Sequence, residues 1–259
     1  MAQDVALVTG ASSGIGAALA RRIARDGRDV VLVARRTDML ESLAGELEKA
    51  GVRAHAIAKD LLRPGASREL FDEVARRGFT VDWLVNNAGF GMNGPFHRLA
   101  LERELDVIRL NVQVPVELTG LCLPGMVERK RGVVMNVSSL GAFAPGPYMA
   151  TYCATKSFVL SFSEAIAEEV RGTGVQVLCV CPGFTRTEFQ DKADVDVSAI
   201  PSFAWMSAEE VADQAVRGIG HGPVLVNGLM NSMMARVTKV VPHSMLNRLV
   251  STMMKPKEA

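Results

Sequence analysis

One alternation narrows the fold more than any other feature. A short apolar run is followed by glycines or a polar cluster, and then by a segment whose apolar residues recur at helical spacing. Val5-Ala6-Leu7-Val8 is apolar on both faces, as a strand buried in a parallel sheet should be. Runs of the same kind lie at Val30–Ala34, Ala54–Ala58, Val81–Val85, Gly132–Val137 and Val175–Cys181, with a last short one at Pro223–Val226. Between them, Leu40–Ala50 reads as a helix closed by Gly51, and Ala66–Arg77 as one stopped by Gly78. Leu99–Val127 reads as mostly one long helix in spite of Pro115 and Pro124. Ser157–Arg171 carries Phe158, Val159, Phe162, Ile166 and Val170 at a 3.6-type spacing. Ser207 with Glu210 forms a capping box that opens a helix running to Gly218. The pattern predicts an α/β chain with a doubly wound parallel sheet of about seven strands and helices on both faces. Ligands of such a sheet bind at the carboxyl ends of its strands.

The chain has 259 residues, enough for one large core or two small ones, and has no linker rich in Pro, Gly or Ser. One domain over 1–259 is therefore expected. Twenty-nine basic and 28 acidic residues give a formal charge of +1, and no basic tract comes with interleaved aromatics, so no nucleic-acid partner is expected. Cys122, Cys153, Cys179 and Cys181 form no Cys-x-x-Cys pair, and His55, His97, His221 and His243 are scattered without metal-ligand spacing, so no metal is expected. The start of the chain runs straight into a strand, and no 18-residue apolar stretch occurs. The expectation is a soluble cytoplasmic protein.

Chemistry gathers after the strands. The first runs into Thr9-Gly10-Ala11-Ser12-Ser13-Gly14-Ile15-Gly16, where glycines let backbone N–H groups and a helix N-terminus approach a phosphate. The spacing is Gly-x-x-x-Gly-x-Gly rather than Gly-x-Gly-x-x-Gly, and a turn without a ligand is the plain alternative. The second strand ends in Arg35-Arg36, with no acidic residue before Asp38. Guanidinium groups there suit the 2′-phosphate of NADP, while two solvated arginines are the plain alternative. Asp60, before Leu61, could accept from an adenine amino group or cap the next turn. Asn86-Asn87-Ala88-Gly89 ends the fourth strand, and its asparagines are expected outside the strand interior, tying neighbouring backbone groups. Asn111, inside the long helix, is expected either in solvent or on its i−4 carbonyl.

Tyr152 and Lys156 stand four residues apart, on one face if helical. An ammonium beside a phenol favours the phenolate, which would lower the tyrosine's pKa. A half-buried aromatic and a solvated lysine are the plain alternative. Residues 188–206, including Asp191, Asp194 and Asp196, read as a mobile substrate lid. The stretch 229–259 holds Met230, Met233, Met234, Met245, Met253 and Met254 among Arg236, Lys239, Arg248 and Lys255, with no acidic residue before Glu258. It reads as helices packed on the substrate side or on a second subunit, or as a basic surface touching a membrane or lipid-like substrate.

Taken together, these motifs resemble the short-chain dehydrogenase/reductase family, from about Val5 to Thr187. Thr9–Gly16 resembles its cofactor turn and Asn86–Gly89 its structural motif. Asn111, Ser139, Tyr152 and Lys156 fall where the family keeps its catalytic four, with Ser139 preferred to Ser138 on its spacing to Tyr152. The resemblance implies a single Rossmann-type domain that interconverts a carbonyl and an alcohol with NADP(H). Tyr152 would be the general acid/base, Ser139 would hold the carbonyl oxygen, and Asn111 would position a proton-relay water. Lys156 would bind the nicotinamide ribose and lower the tyrosine's pKa. Gly10, Ser12, Ser13, Gly14, Ile15, Gly16, Arg35, Arg36, Asp60, Leu61, Asn87, Ala88 and Gly89 would hold the cofactor, Arg35 foremost at the 2′-phosphate. Pro182, Gly183, Phe184, Thr185 and Thr187 would touch its nicotinamide end. Ser12 and Ser13 stand where many relatives carry a second basic residue. The resemblance also implies a homodimer or homotetramer built through the helices after the fourth and fifth strands.

The substrate pocket is expected to draw on Met92, Phe96, Phe143, Phe184, Phe189, Phe203, Trp205 and Met206, which favours an apolar or aromatic ketone. Two other functions fit the same motifs. One is a membrane-surface dehydrogenase of steroid, retinoid or long-chain alcohols. The other is a non-catalytic NAD(P)-binding regulator or scaffold.

Overall fold

Alternate residues of β1 (Gln3–Thr9) serve two different cores, because successive side chains of a strand point to opposite faces. Ala6 and Val8 pack under α1 (Gly14–Arg25), α2 (Thr37–Lys49) and α8 (Ala208–Arg217). Val5 and Leu7 pack under α3 (Ala66–Arg76), α5 (Val114–Glu128) and α6 (Ala150–Glu169). The computed structural model describes residues 3–195, 197, 200–238 and 241–254. Of the residues singled out above, Asp196, Lys239, Lys255 and Glu258 lie outside the described ones.

The remaining strands are β2 (Val30–Ala34), β3 (Ala54–Ala58), β4 (Phe79–Asn86), β5 (Gly132–Val137), β6 (Val175–Cys181) and β7 (Val224–Val226). They form one sheet in the order β3-β2-β1-β4-β5-β6-β7, with every pair parallel. Leu7, Leu32 and Leu84 are fully buried in it, each stabilising the fold by about 1.5–3 kcal/mol relative to exposure. The strand order reverses between β1 and β4, which opens a crevice at their carboxyl ends.

The capping box forms as expected. Ser207 Oγ accepts from the Glu210 N–H at 3.1 Å, and Glu210 accepts from the Ser207 N–H at 2.8 Å. The long helix is interrupted. α4 (Leu101–Ile108) passes through a π-helical turn, Arg109–Gln113, into α5. Pro115 has no N–H to give Asn111's carbonyl, and at this point the ladder widens, with the Val114 N–H reaching Arg109 five residues back.

Asn86 also departs from expectation, since it is the last residue of β4 and lies inside the sheet. Its amide donates to Asn136 Oδ1 at 2.8 Å and to Thr119 Oγ1 at 3.2 Å, and Asn136 donates to Ser163 Oγ at 2.9 Å. Burial is tolerated because each donor finds a side-chain acceptor. The chain ends in α7 (Phe189–Lys192), α8, β7, α9 (Leu229–Val237) and α10 (His243–Met254).

Candidate active site

A cleft of about 770 Å³ lies along the carboxyl ends of the strands. Every residue expected to touch the cofactor lines it, from Gly10 in the first turn to Thr187 after β6. Of the four expected catalytic residues, Ser139, Tyr152 and Lys156 line it and Asn111 does not.

The glycine turn is sewn to the end of β4. Thr9 Oγ1 donates to Val85 O at 3.2 Å and accepts from the N–H groups of Asn87 and Ala88, at 3.0 and 3.1 Å. The Asn87 amide donates to Thr9 O at 2.9 Å and to Gly10 O at 3.3 Å, so this asparagine ties a strand distant in sequence rather than its neighbours. Gly10 has φ +67°, and a Cβ on it would sit 2.9 Å from Ala88 Cα. On Gly16, a Cβ would be driven into the Gly10 carbonyl oxygen. Ser13, the extended residue before α1, makes no side-chain cap, leaving first-turn N–H groups at the cleft wall. Only a bare backbone fits this turn, and the cradle it forms suits a pyrophosphate.

At the adenine end, Asp60 accepts from the Leu62 N–H at 3.1 Å while lining the cleft, so its turn-capping role is realised. Arg35 is exposed at the rim. Arg36, rather than Arg35, is the arginine engaged in the structure, with Ser12 Oγ at 3.3 Å and Glu188 at 3.0 Å. Opposite, a Cβ on Gly14 would lie 3.0 Å from Thr187, and the Thr185 hydroxyl donates to Gly183 O at 3.1 Å.

Of the expected reacting groups, Tyr152 and Lys156 sit at the start of α6, and Ser139 follows β5. Ser139 Oγ accepts from the Gly141 N–H at 3.1 Å, which leaves its own hydrogen free to donate. A Cβ on Gly141 would lie 3.5 Å from Ser139 Oγ and 4.0 Å from the Tyr152 ring, so both side chains flank the same glycine. Ser138 is turned away, donating to Lys156 O at 2.7 Å.

The expected lowering of the tyrosine's pKa is reversed here. Enclosure by the cleft walls pushes the Tyr152 phenol up, and the Ser139 hydroxyl offsets only part of that. Lys156 Nζ stands 5.7 Å from the Tyr152 ring centre and donates to Val137 O at 2.8 Å. Burial pushes Lys156 itself down to about 8. Desolvation therefore sets the direction at both groups.

Asn111 corrects a second expectation, since it is neither in solvent nor on its i−4 carbonyl. It is buried, accepting from the Phe90 N–H at 3.1 Å and donating to Phe90 O at 3.0 Å and Thr155 Oγ1 at 3.1 Å. The π turn rotates it toward the loop after β4. A Cβ on Gly89 would meet Asn111 Oδ1 at 2.9 Å and Lys156 Nζ at 3.6 Å, so the two flank a single glycine.

The substrate wall differs most from expectation. Phe184 and Phe189 line the cleft, the Phe189 ring centre 5.2 Å from that of Tyr152. Phe96 and Phe203 point outward, 59% and 71% exposed, and Met92, Phe143, Trp205 and Met206 stand off the wall. Trp205 packs behind Phe184, with ring centres 5.6 Å apart. Their places are taken by Met149 and by Met234, Val250 and Met254 of the tail. Asn93 Nδ2 donates to Met254 O at 3.1 Å, fastening α10 over the cleft. The other face of α9 stays exposed at Leu229, Met230 and Met233. Sequence reasoning also missed Glu188 and Lys192, whose only local signal is adjacency to the Thr185–Thr187 stretch. Among the described residues no group of three or more His, Cys, Asp or Glu could hold a metal, and no helix is long and apolar enough to cross a membrane.

Comparison with known proteins agrees with this geometry. The family described as short chain dehydrogenase matches residues 4–197. The very-long-chain 3-oxoacyl-CoA reductase of Homo sapiens is 32% identical over 98% of this chain and 80% of its own length. A short-chain dehydrogenase from Sphingobium yanoikuyae, solved in complex with NADPH, superposes with a TM-score of 0.83 at 33% identity, covering 99% and 98% of the two chains. A structure described for 7beta-hydroxysteroid dehydrogenase stereoselectivity superposes with a TM-score of 0.88 at 26% identity, covering 96% and 97%. With the glycine cradle, the Tyr152–Lys156 pair and the parallel sheet in place, the chain belongs to the short-chain dehydrogenase family.

Proposed function

We propose that this enzyme reduces a ketone carrying bulky apolar or aromatic groups, with Tyr152 as the proton donor. The chain is an NADP(H)-dependent oxidoreductase acting between a carbonyl and an alcohol. When bound, NADPH supplies the hydride. Gly10, Ser12, Ser13, Gly14, Ile15 and Gly16 would cradle its pyrophosphate, and Arg35 and Arg36 would hold its 2′-phosphate. Asp60 and Leu61 would hold the adenine end, Asn87 to Gly89 the ribose side, and Pro182 to Thr187 the nicotinamide end.

The observation that carries the reading is the Ser139 hydroxyl set beside the Tyr152 phenol in an apolar cleft. Ser139 holds its hydrogen free, and burial keeps the Tyr152 phenol protonated. Negative charge building on a carbonyl oxygen between them is stabilised by both, and Tyr152 delivers the proton. Lys156 supplies a buried positive charge, and Asn111, beside it across Gly89, holds the position from which a proton is replaced. Methionines and phenylalanines enclose the remaining substrate. The relatives' names, a very-long-chain 3-oxoacyl-CoA reductase and a hydroxysteroid dehydrogenase, denote large apolar substrates and support this class.

Residues 1–259 act as one cytoplasmic unit in this reading, with 188–206 as a lid over the substrate and Met234, Val250 and Met254 of the 229–259 tail completing its wall. Leu101, Leu105 and Ile108 are exposed at helical spacing on α4, and Val116 on α5 and Phe158 on α6 are exposed too, which supports a second copy seating on these helices. A monomer by light scattering at micromolar concentration would refute that assembly.

Tyr152→Phe tests the chemistry. It lowers kcat by about 10²–10⁴-fold on a bulky aromatic ketone and leaves NADPH binding within about twofold. Retained turnover sinks the proposal.

A further inference from the structure

The two walls of the cofactor cleft are joined across the gap by one carboxylate. Glu188 Oε2 accepts from Ser13 Oγ at 3.0 Å and from Arg36 Nη2 at 3.0 Å, and its Oε1 accepts from Arg36 Nη1 at 3.2 Å. Lys192, one turn further along, donates to the same carboxylate at 2.6 Å. Arg36 also holds Ser12 Oγ, at 3.3 Å. Two cations and a hydroxyl around one anion are the surroundings a bound phosphate requires, and here the chain supplies the anion itself. Arg36, followed by Lys192, pulls the Glu188 carboxyl down to about 2, so it stays charged at any ordinary pH.

We propose that Glu188 tempers the preference for NADPH by occupying Arg36 as an internal stand-in for the 2′-phosphate, which displaces it and frees α7 from the glycine turn. The inference rests on the assignment of Arg35 and Arg36 to the 2′-phosphate. Charge decides the contest, because a phosphate monoester brings about −1.5 to −2 and three acceptor oxygens against one carboxylate. Arg35 adds to the advantage, since it makes no ion pair among the described residues and lines the same cleft. A dinucleotide lacking the 2′-phosphate has nothing to offer Arg36 and leaves the Glu188 bridge in place. Any repulsion between Glu188 and the pyrophosphate acts on both dinucleotides equally, so the NADPH:NADH affinity ratio isolates the contest.

The test is a fluorescence titration of the wild type and Glu188→Gln with NADPH and NADH. Glu188 is 44% exposed and glutamine has its shape, so the fold is retained. Removing the competitor is expected to raise the NADPH:NADH affinity ratio about three- to fivefold, the range of a partly exposed ion pair. A second measurement needs no variant. Adenosine 2′,5′-bisphosphate is expected to speed tryptic cleavage after Lys192 several-fold in the wild type, while saturating 5′-AMP does not. Selective NADPH binding by the wild type with an unchanged or lower ratio in Glu188→Gln overturns the stand-in role alone, as does equal cleavage with both nucleotides. A wild type with no preference for NADPH overturns the 2′-phosphate site along with it. Neither result touches the reductive chemistry, which Tyr152→Phe reads separately.

Discussion

The cofactor wall and the substrate wall of the same cleft are built in opposite ways. On the cofactor side, backbone meets backbone. Gly10 and Gly16 approach β4 and each other so closely that no Cβ fits, and Thr9 and Asn87 hold the two strands with bonds of 2.9 to 3.2 Å. The substrate side is made of side chains, with Met149, Met234, Val250 and Met254 brought from α6, α9 and α10. Methionine has three rotatable bonds and repacks at little cost. A rigid wall suits the invariant shape of a dinucleotide, whereas an adaptable one suits a bulky substrate whose shape can vary.

That contrast breaks first at Gly16. Gly16→Ala forces a methyl into the Gly10 carbonyl, where no flexible side chain can yield. The expected cost is about 1–3 kcal/mol of stability, with NADPH affinity reduced tenfold or more. Denaturant melts and a titration of the same variant measure both. A variant that binds NADPH normally would show that the turn is looser than its contacts imply.

Next in size is a pH effect on the cofactor side. Lys156 is pushed down from 10.5 to about 8, so its ammonium exists below that pH and is lost as pH rises through it. The unfolded chain still binds the proton between about 8 and its ordinary value of about 10.4, so folding gains stability as pH rises through that window. Whatever needs the ammonium weakens over the same range. For NADPH, kcat/KM is expected to fall toward tenfold per pH unit above about 8, since this ratio reports groups of the free enzyme. A flat profile to pH 10 would remove Lys156's charge from the mechanism.

The smallest effect belongs to the adaptable wall. Met234→Ala with Met254→Ala is expected to raise KM for a bulky ketone about three- to tenfold, the loss of some buried apolar contact, with NADPH affinity unchanged within about twofold. Equal losses for both ligands would mean that the tail holds the whole cleft together rather than its substrate half.

How far the site could be read in advance follows the same division. The residues of the glycine turn, the Arg35-Arg36 strand end and the 182–187 stretch are each contiguous, and each lies after a strand that the buried apolar pattern marks. They therefore reach the cleft together once the sheet is parallel. Local spacing does not reveal the neighbours of Asn111, because its partners, Phe90 and Thr155, come from elsewhere in the chain and a π turn shifts its direction. Composition points Phe96 and Phe203 toward the pocket, yet which side of a loop faces inward is set by packing that no local pattern records.

The parallel α/β architecture and the set of residues that line one cleft are legible in the chain itself, because strand period, glycine conformation and Tyr–Lys spacing are local properties. Tertiary structure alone decided the pKa directions at Tyr152 and Lys156, the methionine wall and the Glu188 bridge to Arg36. Each of these depends on desolvation or on charges brought together from residues far apart in the chain, and such energies exist only once the fold has closed around them.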